Sequence, residues 1–361
     1  MFKEENTVSQ LKVKKPSKVD ELKAMSAADR KRAIGDLLMN NAMFIIIAIA
    51  VVFIWIQEPA FLSMASIVNI INLTMAKLPI ALGVGGCIIL AGTDISAGRQ
   101  VGLAACISAG LQLTANKLFP GLAIMPIPVV LCVILAVGCC IGFVNGFCMA
   151  RFKLHPFIVT LSTQLIVYGL VLMFMQLGTN SGQTLSGMSE VYRNFVVGTL
   201  FTIDGVAVPN YVLYSGLIAV FVWIVWNKTA FGKNMYAVGS NEDAANVSGV
   251  NVTKTIIMVF MMAGVLYAIT GFMDASRISS VNATTGLNYE SDAIAACVIG
   301  GISFVGGIGK VSGAIIGVLL LQVIFVGLNF LSVDANLLYI VKGLIILVAC
   351  AIDMRKYLVR K

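Results

Sequence analysis

Charge is what this chain has least of. Only 12% of its 361 residues are Asp, Glu, Lys or Arg, while 59% are hydrophobic and the mean hydropathy is +0.94. A soluble domain carries about 25% charged residues, so a soluble protein is excluded. Histidine is also scarce. His155 is the single one, and with no Cys/His cluster of ligand spacing the sequence offers no metal site. Catalytic carboxylate pairs in a polar domain are missing as well, so hydrolytic chemistry has no candidate.

The nearest approach to a phosphate-binding loop is Gly306-Gly307-Ile308-Gly309-Lys310-Val311-Ser312. It has Val311 where the motif needs Ser or Thr and Phe304 where it needs its first glycine. The chain therefore reads as a non-enzyme that binds no ATP of its own.

What the sequence does have is a succession of apolar runs. A helix of about 20 residues crosses the hydrocarbon, and about ten such runs occur, over 38–56, 67–90, 98–116, 123–150, 156–178, 210–227, 254–275, 290–304, 311–332 and 336–353. The expected fold is all-α, a polytopic membrane bundle of about ten helices. Residues 1–35 form a basic tail and 36–361 the membrane domain, with a polar cytoplasmic loop near 228–254.

The net charge of +8 gathers at the ends: Lys3 to Arg32 before the first run, and Arg355, Lys356, Arg360 and Lys361 after the last. The positive-inside bias then puts both termini in the cytoplasm, which asks for an even number of spans. Arg151, Lys153 and His155 mark one cytoplasmic loop, Lys228, Lys233 and Lys254 another, and 179–209 belongs outside. The charge is spent on membrane orientation rather than nucleic acid. The tail is either unstructured or an amphipathic surface helix near 19–34, too long and too mixed in charge for a signal peptide. The eight cysteines lie in or beside apolar runs and read as packing residues.

Glycine is abundant, with 34 residues, and concentrates within the runs, where small residues let helices approach closely. A short internal likeness joins Gly98-Arg99 with Gly102 to Gly309-Lys310 with Gly313. It is either the trace of a duplicated half or chance.

Two polar stretches are candidates for function. Gly92-Thr93-Asp94-Ile95-Ser96-Ala97-Gly98-Arg99-Gln100 interrupts an apolar run. Unwound backbone at membrane depth is tolerated only inside protein or beside water, so Thr93, Asp94, Ser96, Arg99 and Gln100 would line or gate a path. The competing reading is a cytoplasmic turn in which Asp94 caps the next helix and Arg99 snorkels to lipid phosphate. On an unbroken helix residues 94 and 99 would stand about 140° apart, so an Asp94–Arg99 pair requires a break at Gly98. Asp94 is the one acid placed deep among the spans, too little for a proton relay.

The second stretch is Asn241-Glu242-Asp243-Ala244-Ala245-Asn246-Val247-Ser248-Gly249. Ser240 or Asn241 suits an N-cap, Glu242 and Asp243 the positive helix end, and Gly249 the stop. A short cytoplasmic helix is expected, either a knob for a soluble partner or a connecting turn.

These stretches, with Ala81-Leu82-Gly83-Val84, Phe231-Gly232-Lys233-Asn234 and Tyr289-Glu290-Ser291-Asp292 through Gly300-Gly301, resemble the monosaccharide-importing ABC permeases of the ribose, xylose and galactose group, from about residue 40 onward. The Ser96-Ala97-Gly98-Arg99-Gln100 form looks like the galactoside branch. The resemblance implies a bacterial inner-membrane importer conducting galactose or a methyl-galactoside, built from two permease subunits, cytoplasmic ATPases carrying ATP and Mg, and an extracytoplasmic sugar-binding protein. It also implies that Asn241, Glu242, Asp243, Ala244, Ala245, Ser248 and Gly249 form a coupling helix on the ATPase. The runner-up reading is an ion-coupled transporter or channel needing no ATPase.

Overall fold

In the computed structural model, residues 42–358 are described, apart from 116, 120 and 179. The basic tail over 1–35, with its surface-helix alternative, lies outside the described residues. The chain divides into residues 1–49 and a compact unit of 50–361, and the helix packing lies in the second.

The helices are α1 (Ala42–Gln57), α2 (Met64–Ile89), α3 (Ala97–Gln112), α4 (Ile127–Phe152), α5 (Pro156–Met175), α6 (Glu190–Val197), α7 (Asn210–Lys228), α8 (Ala230–Ser240), α9 (Glu242–Val247), α10 (Val252–Ile278), α11 (Tyr289–Ile299), α12 (Val311–Phe330) and α13 (Ala335–Leu358). Their limits follow local chemistry. Ser63 caps α2 through Ser66 N at 3.3 Å, and Asn251 caps α10 through Lys254 N at 2.9 Å. Pro156 opens α5 at a position where its missing N–H costs nothing. Left-handed Lys153 and Ser279 end α4 and α10.

The all-α expectation holds for the bulk, with short strands added. β1 (Leu185–Ser186) pairs with β4 (Ser280–Val281), and β2 (Thr199–Ile203) with β3 (Val206–Pro209), both antiparallel.

Among the described residues six helices are long and apolar enough to cross a membrane: α2, α4, α5, α7, α10 and α12. The runs expected over 98–116 and 290–304 become shorter helices, α3 of 16 residues and α11 of 11 residues. At 1.5 Å per residue, α11 reaches only about half the roughly 30 Å hydrocarbon thickness, because part of each run is spent as non-helical chain. Gly300 and left-handed Gly301 stop α11.

The span of α2 is 61% buried and so is that of α10, against 22% for α4 and 28% for α5 and α7. So α2 and α10 form the core, and the outer helices turn Leu165, Ile166, Met173, Leu217 and Phe221 outward, as a lipid-facing surface requires. α10 packs on α4, α3 and α2, and α11 on α2 and α12. Along the α4–α10 contact, Gly138 meets the Gly264 carbonyl and Gly142 that of Phe260, with no room for a Cβ.

Candidate functional site

The break between α2 and α3 is a buried polar junction. Ala91 turns left-handed at φ 56°, Gly92 N donates back to the Cys87 carbonyl at 3.0 Å, and the chain stays non-helical until Ala97. Asp94, only 1% exposed, accepts from Ser96 N at 2.9 Å and from the Ser96 hydroxyl. A carboxylate here complements the positive end of α3.

Ser96 is the hub. Its Oγ also accepts from Gln100 Nε2 at 2.9 Å and from Asn145 Nδ2 at 3.2 Å, and Asn145 Oδ1 accepts from Thr163 Oγ1 at 2.6 Å. Thr160 Oγ1 lies 3.3 Å from the Thr93 carbonyl. Backbone removed from helix inside an apolar bundle needs other partners, and α4 and α5 supply them. Gln100 lies against Gly264, midway along α10. Gln100 Oε1 lacks a hydrogen-bond partner here, while the Tyr267 hydroxyl stands within reach of the Asp94 carboxylate.

Asp94 keeps the cap-like contact of the turn reading while being buried, and among the described residues Asp94 and Arg99 have separate partners rather than each other. The helix starts at Ala97, so Gly98 and Arg99 are already helical. Arg99 donates to the Ala283 carbonyl at 3.1 Å and stands 4.1 Å from the Tyr168 ring centroid. Gly98 is fixed by the opposite wall, where the Glu290 carboxylate and the Gly286 carbonyl occupy the space of a Cβ.

That wall is a second non-helical segment, 282–288. Asn282 Oδ1 accepts from Thr284 N at 2.9 Å and Thr284 Oγ1 at 2.7 Å, and Gly286 and Asn288 are left-handed. The chain then enters α11 beside the first turn of α3. Glu290 and Asp274 are buried as well, although both lie near helix ends. Asp274 sits between Arg277 at 2.9 Å and Lys77 at 3.7 Å. Lys77 in turn lies over the Tyr289 ring, and Lys342 holds Asp292 at 3.0 Å.

Thr93, Asp94, Ser96 and Gln100 thus come together as the sequence indicates, while Arg99 joins a neighbouring cluster. Asn145, Thr163, Tyr168 and Glu290 were not singled out as site residues. A signal was available for Asn145 and Tyr168, each a polar side chain isolated in an apolar run, but not for Thr163 and Glu290, which have polar neighbours.

At one end of the bundle the loop after α7 folds into two helices. Thr229 Oγ1 accepts from Gly232 N at 3.1 Å and starts α8. Asn241 closes α8 through its N–H to the Ala237 carbonyl at 3.1 Å and caps α9 by accepting from Ala244 N at 2.8 Å. Gly249 follows the stop at φ 84°.

Ala245 is buried against Val238 and Val252. Asn241, Glu242, Asp243, Ala244, Ser248 and Gly249 are exposed, and Val247 is 90% exposed. Glu242 pairs with Lys153 of the neighbouring loop, and this contact raises the Lys153 pKa above its ordinary value. α9 is therefore a docked helix with a free outer face.

A multi-pass helical bundle with a buried polar break and a capped projecting helix at one end has the build of a transport-system permease. The chain belongs to the family described as "Branched-chain amino acid transport system / permease component", which matches residues 66–350. It is 43% identical to the galactose/methyl galactoside import permease protein of Haemophilus influenzae, over 93% of this chain and all of that one. It is 42% identical to the protein of the same name from Escherichia coli K12 with the same coverage. Against the ribose import permease protein of H. influenzae the identity is 33%, over 89% of this chain and 94% of the relative. No solved structure matches. Membership in this family sets aside the ion-coupled transporter reading.

Proposed function

We propose that this protein is the permease subunit of an ATP-driven monosaccharide importer of the bacterial inner membrane, with galactose or a methyl-galactoside as cargo. The observation that carries the reading is the likeness to the galactose/methyl galactoside import permease proteins of H. influenzae and E. coli, both covered over their whole length. On this reading both termini face the cytoplasm, as the loop charges favour. Two copies pair in the membrane, and a binding protein delivers sugar at the outer face. ATP and Mg reside on a partner ATPase.

Thr93, Asp94, Ser96, Arg99 and Gln100 flank the path. For Thr93, Asp94, Ser96 and Gln100 the support is the buried break, where Gln100 Oε1 is an unsatisfied acceptor for a hydroxyl donor; Arg99 borders it from the neighbouring cluster. The exposed face of α9, comprising Asn241, Glu242, Asp243, Ala244, Ser248 and Gly249, seats on the ATPase, with Ala245 anchoring its other side. Nucleotide-driven closure then biases the bundle between two states according to how strongly each is stabilised.

The test is uptake by proteoliposomes holding this chain, its ATPase and its binding protein. Galactose accumulation should require internal ATP and persist when proton and sodium gradients are collapsed. Uptake that follows an ion gradient without nucleotide overturns the proposal.

A further inference from the structure

We propose that α8 is the element through which α9 moves the 90–96 break and the 300–310 loop, with Gly239 and Tyr236 as its positioning residues. The inference rests on α9 being the ATPase contact and goes beyond it. It names the route inward.

α8 sits where the end of α2, just before the 90–96 break, touches the 300–310 loop. Gly307 N, in the loop between α11 and α12, donates to the carbonyl of Ile89, the last residue of α2, at 2.8 Å. Gly239 lies over this hydrogen bond, since a Cβ on it would overlap both the Ile89 carbonyl and Gly307 N. Gly306 packs in the same way on the Gly239 carbonyl and on Ala91, and Gly307 on Ser240. Tyr236, one turn earlier on α8, donates its hydroxyl to the Gly309 carbonyl at 3.0 Å. One face of α8 therefore holds the exit of α2 and the approach to α12.

The contacted chain is bent at left-handed residues, Ala91 at φ 56°, Gly306 at φ 87° and Gly307 at φ 67°. Such turns change course with few dihedrals. Each leads inward, Ala91 by a few residues to Asp94, and the 300–310 loop back through α11 to Glu290 against Gly98. At its other end α8 is joined to α9 with no spacer, because Asn241 closes the first helix and caps the second. A displacement of α9 thus reaches α8 undamped and acts on both walls of the buried junction together. A cleft of about 430 Å³ beside this contact, lined by Tyr236, Gly301, Ile308, Lys310 and Gly313 among others, leaves the loop room to shift.

The experiment uses the assembled importer in proteoliposomes and measures sugar imported per ATP hydrolysed, alongside ATPase co-purification and thermal stability. The variants are Tyr236→Phe, Gly239→Ala and, as a control on α9, Ala244→Asp. Tyr236→Phe keeps the ring and removes one hydroxyl, so it should fold. It should lower sugar per ATP about fivefold, the effect of one neutral hydrogen bond made in one state only, with the ATPase still bound. Gly239→Ala should lower it further.

A purely structural role would reduce yield, uptake and hydrolysis in parallel and leave the ratio unchanged. That result for Tyr236→Phe, with Ala244→Asp releasing the ATPase, overturns this inference and leaves the proposed function standing. If Ala244→Asp binds and couples normally, α9 is not the contact and this inference falls with its premise; failure of the importer reading would show instead as uptake that needs no ATP.

Discussion

Lys77 on α2 and Asp274 on α10 bring opposite charges to 3.7 Å inside the bundle, with the Asp274 side chain fully buried. Arg277 approaches the same carboxylate at 2.9 Å. One buried acid therefore balances two cations from different helices. Removing it should be worse than removing either cation. Asp274→Asn strands two charges and should cost on the order of 3–5 kcal/mol. Lys77→Met leaves the Arg277 pair intact and should cost distinctly less. Thermal melts of the detergent-purified variants rank the two, and equal losses would mean that the carboxylate is not the centre of the cluster.

Asp94 and Arg99 have separate partners, Ser96 for the first and Ala283 with Tyr168 for the second. The effects of Asp94→Asn and Arg99→Gln on folded yield and uptake should therefore add in the double variant to within about 0.5 kcal/mol, as for residues sharing no contact. Rescue of either single change by the other would show a pairing in some state of the transport cycle.

Ser96→Ala removes the hydroxyl that joins Asp94, Gln100 and Asn145. Leaving those buried groups unsatisfied should cost about 1–3 kcal/mol. Thr163→Ala, which touches the network only through Asn145, should cost less. Stability series on the two variants check the order.

The helices and the interruption at 90–96 were legible because apolar runs and polar breaks are properties of consecutive residues. Asn241 as cap and Gly249 as stop were legible for the same reason. α8 was not, although Phe231, Met235 and Val238 recur at helical spacing after the Thr229 cap, because its polar residues read as loop. The burial of Asp274 and Glu290 was also missed. Their distance from the run ends is local, but their burial is set by the 282–288 segment folding back on α3, a contact between distant parts of the chain. The direction of Arg99 turned on one residue of helix phase, which the glycine at position 98 concealed.

The α4–α10 contact should tolerate no side chain at Gly142, where a Cβ would strike the Phe260 carbonyl. Gly142→Val should separate the helices and cost about 1–3 kcal/mol or more through overpacking. Gly169→Ala, on the face of α5 where nothing lies within reach of a Cβ, should be nearly neutral. Comparable losses at the two sites would mean that close approach to α10 is not what excludes a side chain at Gly142, since alanine favours the helix over glycine.

The two faces of α9 should separate folding from coupling. Ala245 is packed between Val238 and Val252, so Ala245→Asp buries an unpaired charge, which costs several kcal/mol, and should undock the helix. Val247 is exposed, so Val247→Asp should leave the melting temperature unchanged while reducing ATPase co-purification. The Lys153–Glu242 pair beside it is exposed and should contribute no more than about 1 kcal/mol, less at high salt. Because the folded Lys153 pKa is raised, that contribution is complete below the ordinary lysine pKa and is lost as pH climbs through the higher folded value, so changes at neutral pH should leave it intact. A Val247→Asp protein that melts normally and still binds the ATPase at full strength would move the contact surface away from the outer face of α9.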